Sequence, residues 1–117
     1  MPHLVLEYSN NIDIRPEVIT FFAKAHSLLE KMLPTKLSSC KSRCISYDNF
    51  YIGSGQIDNA MIHLTLKMLA GRSDSVKEQV GQKLIELMKK CFQQRNKNLN
   101  LEFSVEIMET SLPYFKG

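Results

Sequence analysis

His63-Leu64-Thr65-Leu66, within the apolar run at residues 60–68 (AMIHLTLKM), repeats the His3-Leu4-Val5-Leu6 of residues 2–8 (PHLVLEY) at an offset of 60 positions. Both runs are short and apolar with β-branched content, the pattern of strands, and each leads through a polar turn into an amphipathic helical pattern. Two apolar strands can align by chance over four residues, but the succession of elements around them agrees with the match.

Working outward, residues 2–8 show little alternation, as expected of a strand covered on both faces, and end at the turn cluster Ser9-Asn10-Asn11. From Asp13 onward Val18, Phe22, Ala25, Leu29 and Met32 recur at spacings of three and four, with Pro16 in the first turn and Pro34 as the stop. Residues 41–47 read as extended, and a further extended piece at 50–52 runs into Gly53-Ser54-Gly55, so the two are expected to form a hairpin. After the strand at 60–68 and the turn Ala70-Gly71-Arg72-Ser73, a long helix places Val76, Val80, Leu84, Leu87, Met88 and Cys91 on one face. Ser73 or Ser75 can cap it, Ser75 forming a capping box with Glu78, while Lys89, Lys90 and Arg95 complement its C-terminal dipole as a charged face. Residues 99–108 (LNLEFSVEIM) alternate, as a strand with one wetter face does, and the tail at 109–117 reads as a loop or edge segment.

The order is β-α-β followed by β-α-β, a pseudo-repeat of residues 1–58 and 59–117 within a single domain spanning 1–117. This predicts an α+β fold with a four-stranded mixed sheet and two helices on one face. The other sheet face is expected to be apolar and covered by further copies of the chain.

At 117 residues and 13.4 kDa, with 44% hydrophobic and 23% charged residues, the composition is that of one globular domain, small enough for self-association to be a natural supplement to its core. A formal net charge of +3 is too small and dispersed for a nucleic-acid footprint. No apolar stretch approaches the ~20 residues that cross a bilayer, and no basic segment leads into an apolar one at the N-terminus, so a soluble cytoplasmic protein without nucleic-acid or membrane partners is expected. Cys40, Cys44 and Cys91 are odd in number and lack framework spacing, which fits reduced thiols.

Phosphate-cradling glycine loops, nucleophile elbows, HExxH and dinucleotide fingerprints are all missing from the sequence, which removes the common enzyme classes that depend on them. Cys40 and Cys44 have no second ligand pair at zinc-like spacing, and His3, His26 and His63 read as packed or exposed side chains rather than as a catalytic set. What stands out is Pro2. Initiator methionine is removed before small second residues, and the mature chain would then start with a proline secondary amine at the head of a buried strand. Proline is also simply tolerated at the first residue of a strand, where no ladder donor is needed. If the amine is functional, burial and neighbouring cations both disfavour the ammonium and leave a neutral base near pH 7. Lys41, Arg43 and Arg72 are candidate cations for an anionic substrate, their other reading being exposed solubilising charge.

The opening at 2–9, Lys41-Ser42-Arg43 followed by Tyr47-Asp48, the run at 55–60 (GQIDNA), His63-Leu64-Thr65-Leu66-Lys67 and Gly71-Arg72-Ser73 together closely resemble the 5-carboxymethyl-2-hydroxymuconate isomerase family of the tautomerase superfamily, in order and spacing from Pro2 to about Met108. Gly71-Arg72-Ser73-Asp74 also looks like the corresponding turn of 4-oxalocrotonate tautomerase, a half-length relative built from one β-α-β unit.

The resemblance implies a homotrimer with active sites near the subunit boundaries, an N-terminal proline base and no cofactor or metal. It also implies a small dicarboxylate or tricarboxylate enol as substrate. The implied reaction converts 5-carboxymethyl-2-hydroxymuconate to its 2-oxo isomer in homoprotocatechuate catabolism. Pro2, Arg72 and Arg43 are the implied catalytic residues, with Lys41, Arg43 and Arg72 binding substrate; which arginine polarises the oxygen and which binds carboxylate is left open. The family often has arginine where Lys41 stands, and the segment after Met108 looks shorter than usual. Two other readings fit the same residues: a tautomerase acting on another unsaturated oxo acid, and a trimeric scaffold without turnover.

Overall fold

The structure is a computed structural model and describes residues 1–111 and 113–117. Its elements are β1 (His3–Ser9), α1 (Glu17–Met32), β2 (Lys41–Tyr47), β3 (Asn59–Leu69), α2 (Asp74–Phe92) and β4 (Asn100–Thr110), with single 3-10 turns at Leu37–Ser39 and Gln94–Asn96. The strands form one four-stranded sheet in the order β2-β1-β3-β4. β1 runs parallel to β2 and antiparallel to β3, and β3 runs parallel to β4.

The register of the central pair is symmetric about Val5↔Thr65: Leu4 meets Leu66, Leu6 meets Leu64, His3 meets Lys67 and Glu7 meets His63. Leu4, Leu6, Ile62, Leu64 and Leu66 point to one face, where both helices pack, and all are buried there. From α1 the core takes Phe21, Ala25 and Leu29, and from α2 Val80, Leu84, Met88 and Phe92. Phe21 and Phe92 join the helices, ring centroids 5.2 Å apart.

Several expectations are corrected in detail. Both central strands do alternate, and their second face is not apolar: it carries His3, Val5 and Glu7 from β1 and His63, Thr65 and Lys67 from β3. In α1 the buried stripe is centred on Phe21, Ala25 and Leu29, while Val18, Phe22 and Met32 flank it, half-buried. Pro16 stands at the N-cap, one position before the helix. The cap of α2 is Ser73, whose Oγ accepts from the Val76 N–H at 3.2 Å; Ser75 and Glu78 lie inside the helix and form no capping box. β4 runs on to Thr110, so the first two residues of the expected tail are strand; 111 and 113–117 are irregular, and 112 lies outside the described residues.

The expected hairpin does not form. Residues 41–47 pair in parallel with β1, and the chain must then cross from the edge of the sheet to β3 on the far side of β1. Residues 50–52 belong to that crossing. Gly55 turns it at φ +80°, with Tyr51 so close that a Cβ would lie 2.5 Å from its ring, and Asn59 Nδ2 donates to the Ile52 carbonyl.

Asn96 ties the crossing after β1 to the end of α2. Its Oδ1 accepts from the Asp13 N–H at 2.8 Å, and its Nδ2 donates to the carbonyls of Asp13 and Phe92, both at 2.9 Å, all around a side chain only 3% exposed. Asn96→Ala would strand those buried groups, so a loss of about 1–3 kcal/mol is expected in chemical denaturation. A midpoint equal to wild type would mean that water satisfies them.

Candidate active site

The strand directions decide what meets at the site. Because β1 and β2 begin where β3 and β4 end, Pro2, Lys41, the turn holding Arg72 and the C-terminal tail all gather at one end of the sheet. Pro2 precedes β1 and is buried, its carbonyl accepting from the Lys41 N–H at 3.1 Å. The α-amine at this end, carried by Met1, has its pKa lowered first by burial and then by the charges of Lys41 and Lys116, with Cys40 opposing. These surroundings shift an amine toward its neutral form.

Arg72 follows the end of β3 in a turn that Gly71 makes possible at φ +119°, a backbone region L side chains rarely adopt. Three contacts fix this turn. Ser73 caps α2, Lys77 pairs with Asp74, and Glu109 pairs with Lys77, which lowers its pKa from the ordinary carboxylate value. Arg72 is half-buried; its Nη1 donates to the Leu69 carbonyl at 3.2 Å, but its buried Nε has no acceptor among the described residues. A buried N–H donor without an acceptor is uncommon.

Lys41 and Arg43 lie on the outward-facing side of β2, both exposed. Lys41 pairs across the sheet with His3, and its Nζ is 3.5 Å from the Ser39 carbonyl. Arg43 pairs with Val5, yet its guanidinium reaches back toward the Pro2 end and places Nη1 2.9 Å from His3 Nδ1. Lys67 faces His3 from β3, so this end of the open face is cationic, while Glu102 and Glu106 stand along β4.

The structure thus brings Pro2, Lys41, Arg43 and Arg72 to one region, each held by its own neighbours. Three further groups join them. His3 contacts Arg43, the Tyr114 hydroxyl lies 3.0 Å from His3 Nε2, and Lys116 acts on the α-amine. Sequence reading set His3 aside as a lone strand histidine. The signal that could have found it was the parallel register, which puts His3 and Arg43 on one face two positions apart.

Grooves of about 460 Å³ between α1 and α2, lined by Lys24, Cys91 and Arg95 among others, and about 520 Å³ between α2 and β4 contain none of these residues. Among the described residues no helix is long and apolar enough to cross a membrane, and no three His, Cys, Asp or Glu side chains gather as metal ligands. Cys40, Cys44 and Cys91 are free thiols.

Comparison with known proteins gives one consistent answer. The family profile for 5-carboxymethyl-2-hydroxymuconate isomerase matches residues 2–116. The Escherichia coli 5-carboxymethyl-2-hydroxymuconate Delta-isomerase is 34% identical over 116 residues, covering 97% of this chain and 92% of the relative. A crystal structure of a 5-carboxymethyl-2-hydroxymuconate isomerase from Deinococcus radiodurans R1 superposes with a TM-score of 0.78 at 26% identity, covering 98% of this chain and 88% of that one. A fused 4-OT described as a symmetric trimer shares the fold at a TM-score of 0.72 and 14% identity, with 92% and 85% coverage. On a profile match that runs from Pro2 nearly to the last residue, and on a relative of this identity, the chain belongs to the 5-carboxymethyl-2-hydroxymuconate isomerase family.

Proposed function

We propose that the protein is a cofactor-independent isomerase that converts 5-carboxymethyl-2-hydroxymuconate to its 2-oxo isomer, with the nitrogen of Pro2 as the base once Met1 is removed. The observation that carries this is a buried Pro2 at the end of the sheet where Lys41, Arg43 and Arg72 gather. The neutral secondary amine takes the proton of the 2-hydroxyl. The O–H bond breaks, the oxygen forms a carbonyl, the conjugated double bonds shift, and the same proton or its equivalent is returned to a carbon of the chain. No atoms are gained or lost, and no oxidant is needed. Arg72, with its unpartnered Nε, and Arg43 bind carboxylate or stabilise the charge that develops on the 2-oxygen, and Lys41 adds a point charge.

On the same reading the protein works as a homotrimer. β2 is an edge strand with Ile45 and Tyr47 exposed, and the site opens at the end of the sheet, where a neighbouring subunit could complete it. We also read 1–58 and 59–117 as two copies of one unit in a single domain, a reading supported by the symmetric register about Val5 and Thr65. Cytoplasmic residence is supported by three free thiols.

The test is an ultraviolet assay of enol-to-ketone conversion on 5-carboxymethyl-2-hydroxymuconate, run on protein whose intact mass has been measured. Protein lacking Met1 is expected to turn the substrate over. Protein lacking Met1 and inert toward it would move the assignment to another unsaturated oxo acid.

A further inference from the structure

His3 takes no part in the proton transfer, yet its hydrogen bonds define the state of its ring. A guanidinium offers only donors, so Arg43 Nη1, at 2.9 Å, donates and His3 Nδ1 is the unprotonated acceptor. The neutral ring then carries its hydrogen on Nε2, which donates to Tyr114 Oη at 3.0 Å. The two rings also meet edge to face, their centroids 6.0 Å apart at 69°. Arg43, which pairs with Val5, is thereby held two residues back along β1, toward Pro2.

We propose that His3 and Tyr114 are positioning residues for Arg43: the tail hydroxyl holds the imidazole ring through Nε2, and the imidazole holds the guanidinium at the Pro2 end for a substrate carboxylate. This rests on the isomerase reading of the site. The fork of Arg43 is worth most when pre-oriented, because an exposed guanidinium otherwise loses rotamer freedom on binding. The tail beyond β4 therefore serves the site through a hydrogen bond as well as by packing.

The surroundings set the pH dependence. Burial, and then the charges of Arg43, Lys41, the α-amine and Lys67, all lower the pKa of His3 from its ordinary 6.5. Arg43 and Lys41 face it from β2, Lys67 from β3 and Tyr114 from the tail, while Glu7 on the same face of β1 accepts from Tyr47. Neutral His3 is the holding form. As pH falls through its lowered pKa, Nδ1 gains a hydrogen, can no longer accept from Arg43, and KM is expected to rise.

Steady-state kinetics and nitrogen-15 histidine spectra decide the matter together. His3→Leu is expected to raise KM about tenfold with kcat within about twofold, since it removes one charged hydrogen bond used in binding. Tyr114→Phe is expected to raise KM about threefold by removing the partner of Nε2 and freeing the imidazole ring. His3→Asn, whose Oδ1 can accept where Nδ1 did, is expected to stay within about twofold of wild type and to lose the acid-side rise in KM. The wild-type spectrum is expected to show Nδ1 unprotonated and Nε2 protonated, and Tyr114→Phe, in which Arg43 still donates to Nδ1, to keep that pattern. A protonated Nδ1 in neutral His3, or a wild-type KM in His3→Leu, overturns the proposal. Absence of turnover by the wild type would instead sink the isomerase reading, and the spectra would still judge the state of His3.

Discussion

Pro2→Ala is expected to lower kcat/KM for 5-carboxymethyl-2-hydroxymuconate by roughly 10²–10⁴, the usual contribution of a positioned general base. Alanine is also small enough for Met1 to be removed, so the variant keeps an α-amine but loses the secondary amine and the ring that fixes its direction. Unprocessed protein is the sharper comparison: with Met1 attached, the nitrogen of Pro2 is an amide without a basic lone pair, and activity should vanish. The pH profile gives the sign. The base works when neutral, so the rate climbs with pH through the amine's pKa. Burial, Lys41 and Lys116 lower the pKa of the Met1 α-amine at this end, and the same surroundings act on a Pro2 amine, so the acid limb should lie below the ordinary value of a free proline amine. Paired measurements of intact mass and kcat/KM against pH test this, and an alanine variant with wild-type kcat/KM would remove Pro2 from the mechanism.

Arg72→Ala is expected to cost about 10²–10³ in kcat/KM, comparable to removing one preorganised donor from a developing oxyanion. The fold should survive. Among the described residues Arg72 gives the protein one hydrogen bond, to the Leu69 carbonyl, whereas the turn is held independently by the Ser73 cap and the Glu109–Lys77 pair. Arg72→Lys should recover part of the loss, because charge returns without the planar fork and without Nε. Kinetics beside a thermal melt separate the effects. Wild-type kinetics in Arg72→Ala would pass the oxygen-stabilising role to Arg43.

Much of this was legible in the chain because it is local. The 3.6-residue spacing of Val80, Leu84 and Met88 marks α2, and the position of Arg72 between Gly71 and Ser73 follows from turn chemistry. Pro2 and the cations were legible as residue types whose chemistry converges on a proton transfer near anionic groups, and the family resemblance sharpened that reading. On α1 the spacing identifies Ala25 and Leu29 but takes Phe22 in place of Phe21, because the two are adjacent and equally apolar. Only the contact of Phe21 with Phe92, more than seventy residues away, says which is inside.

The sequence by itself determined the two β-α-β units, the helices and the short set of residues able to carry the chemistry, since these depend on periodicity and residue type within one stretch of chain. Tertiary structure alone decided that residues 41–47 lie beside β1 rather than against 50–52, that the second sheet face is polar, and that His3, Arg43 and Tyr114 form one hydrogen-bonded chain. Strand pairing joins residues tens of positions apart, and a period of two assigns a side chain to a face only once its neighbour strand and register are known.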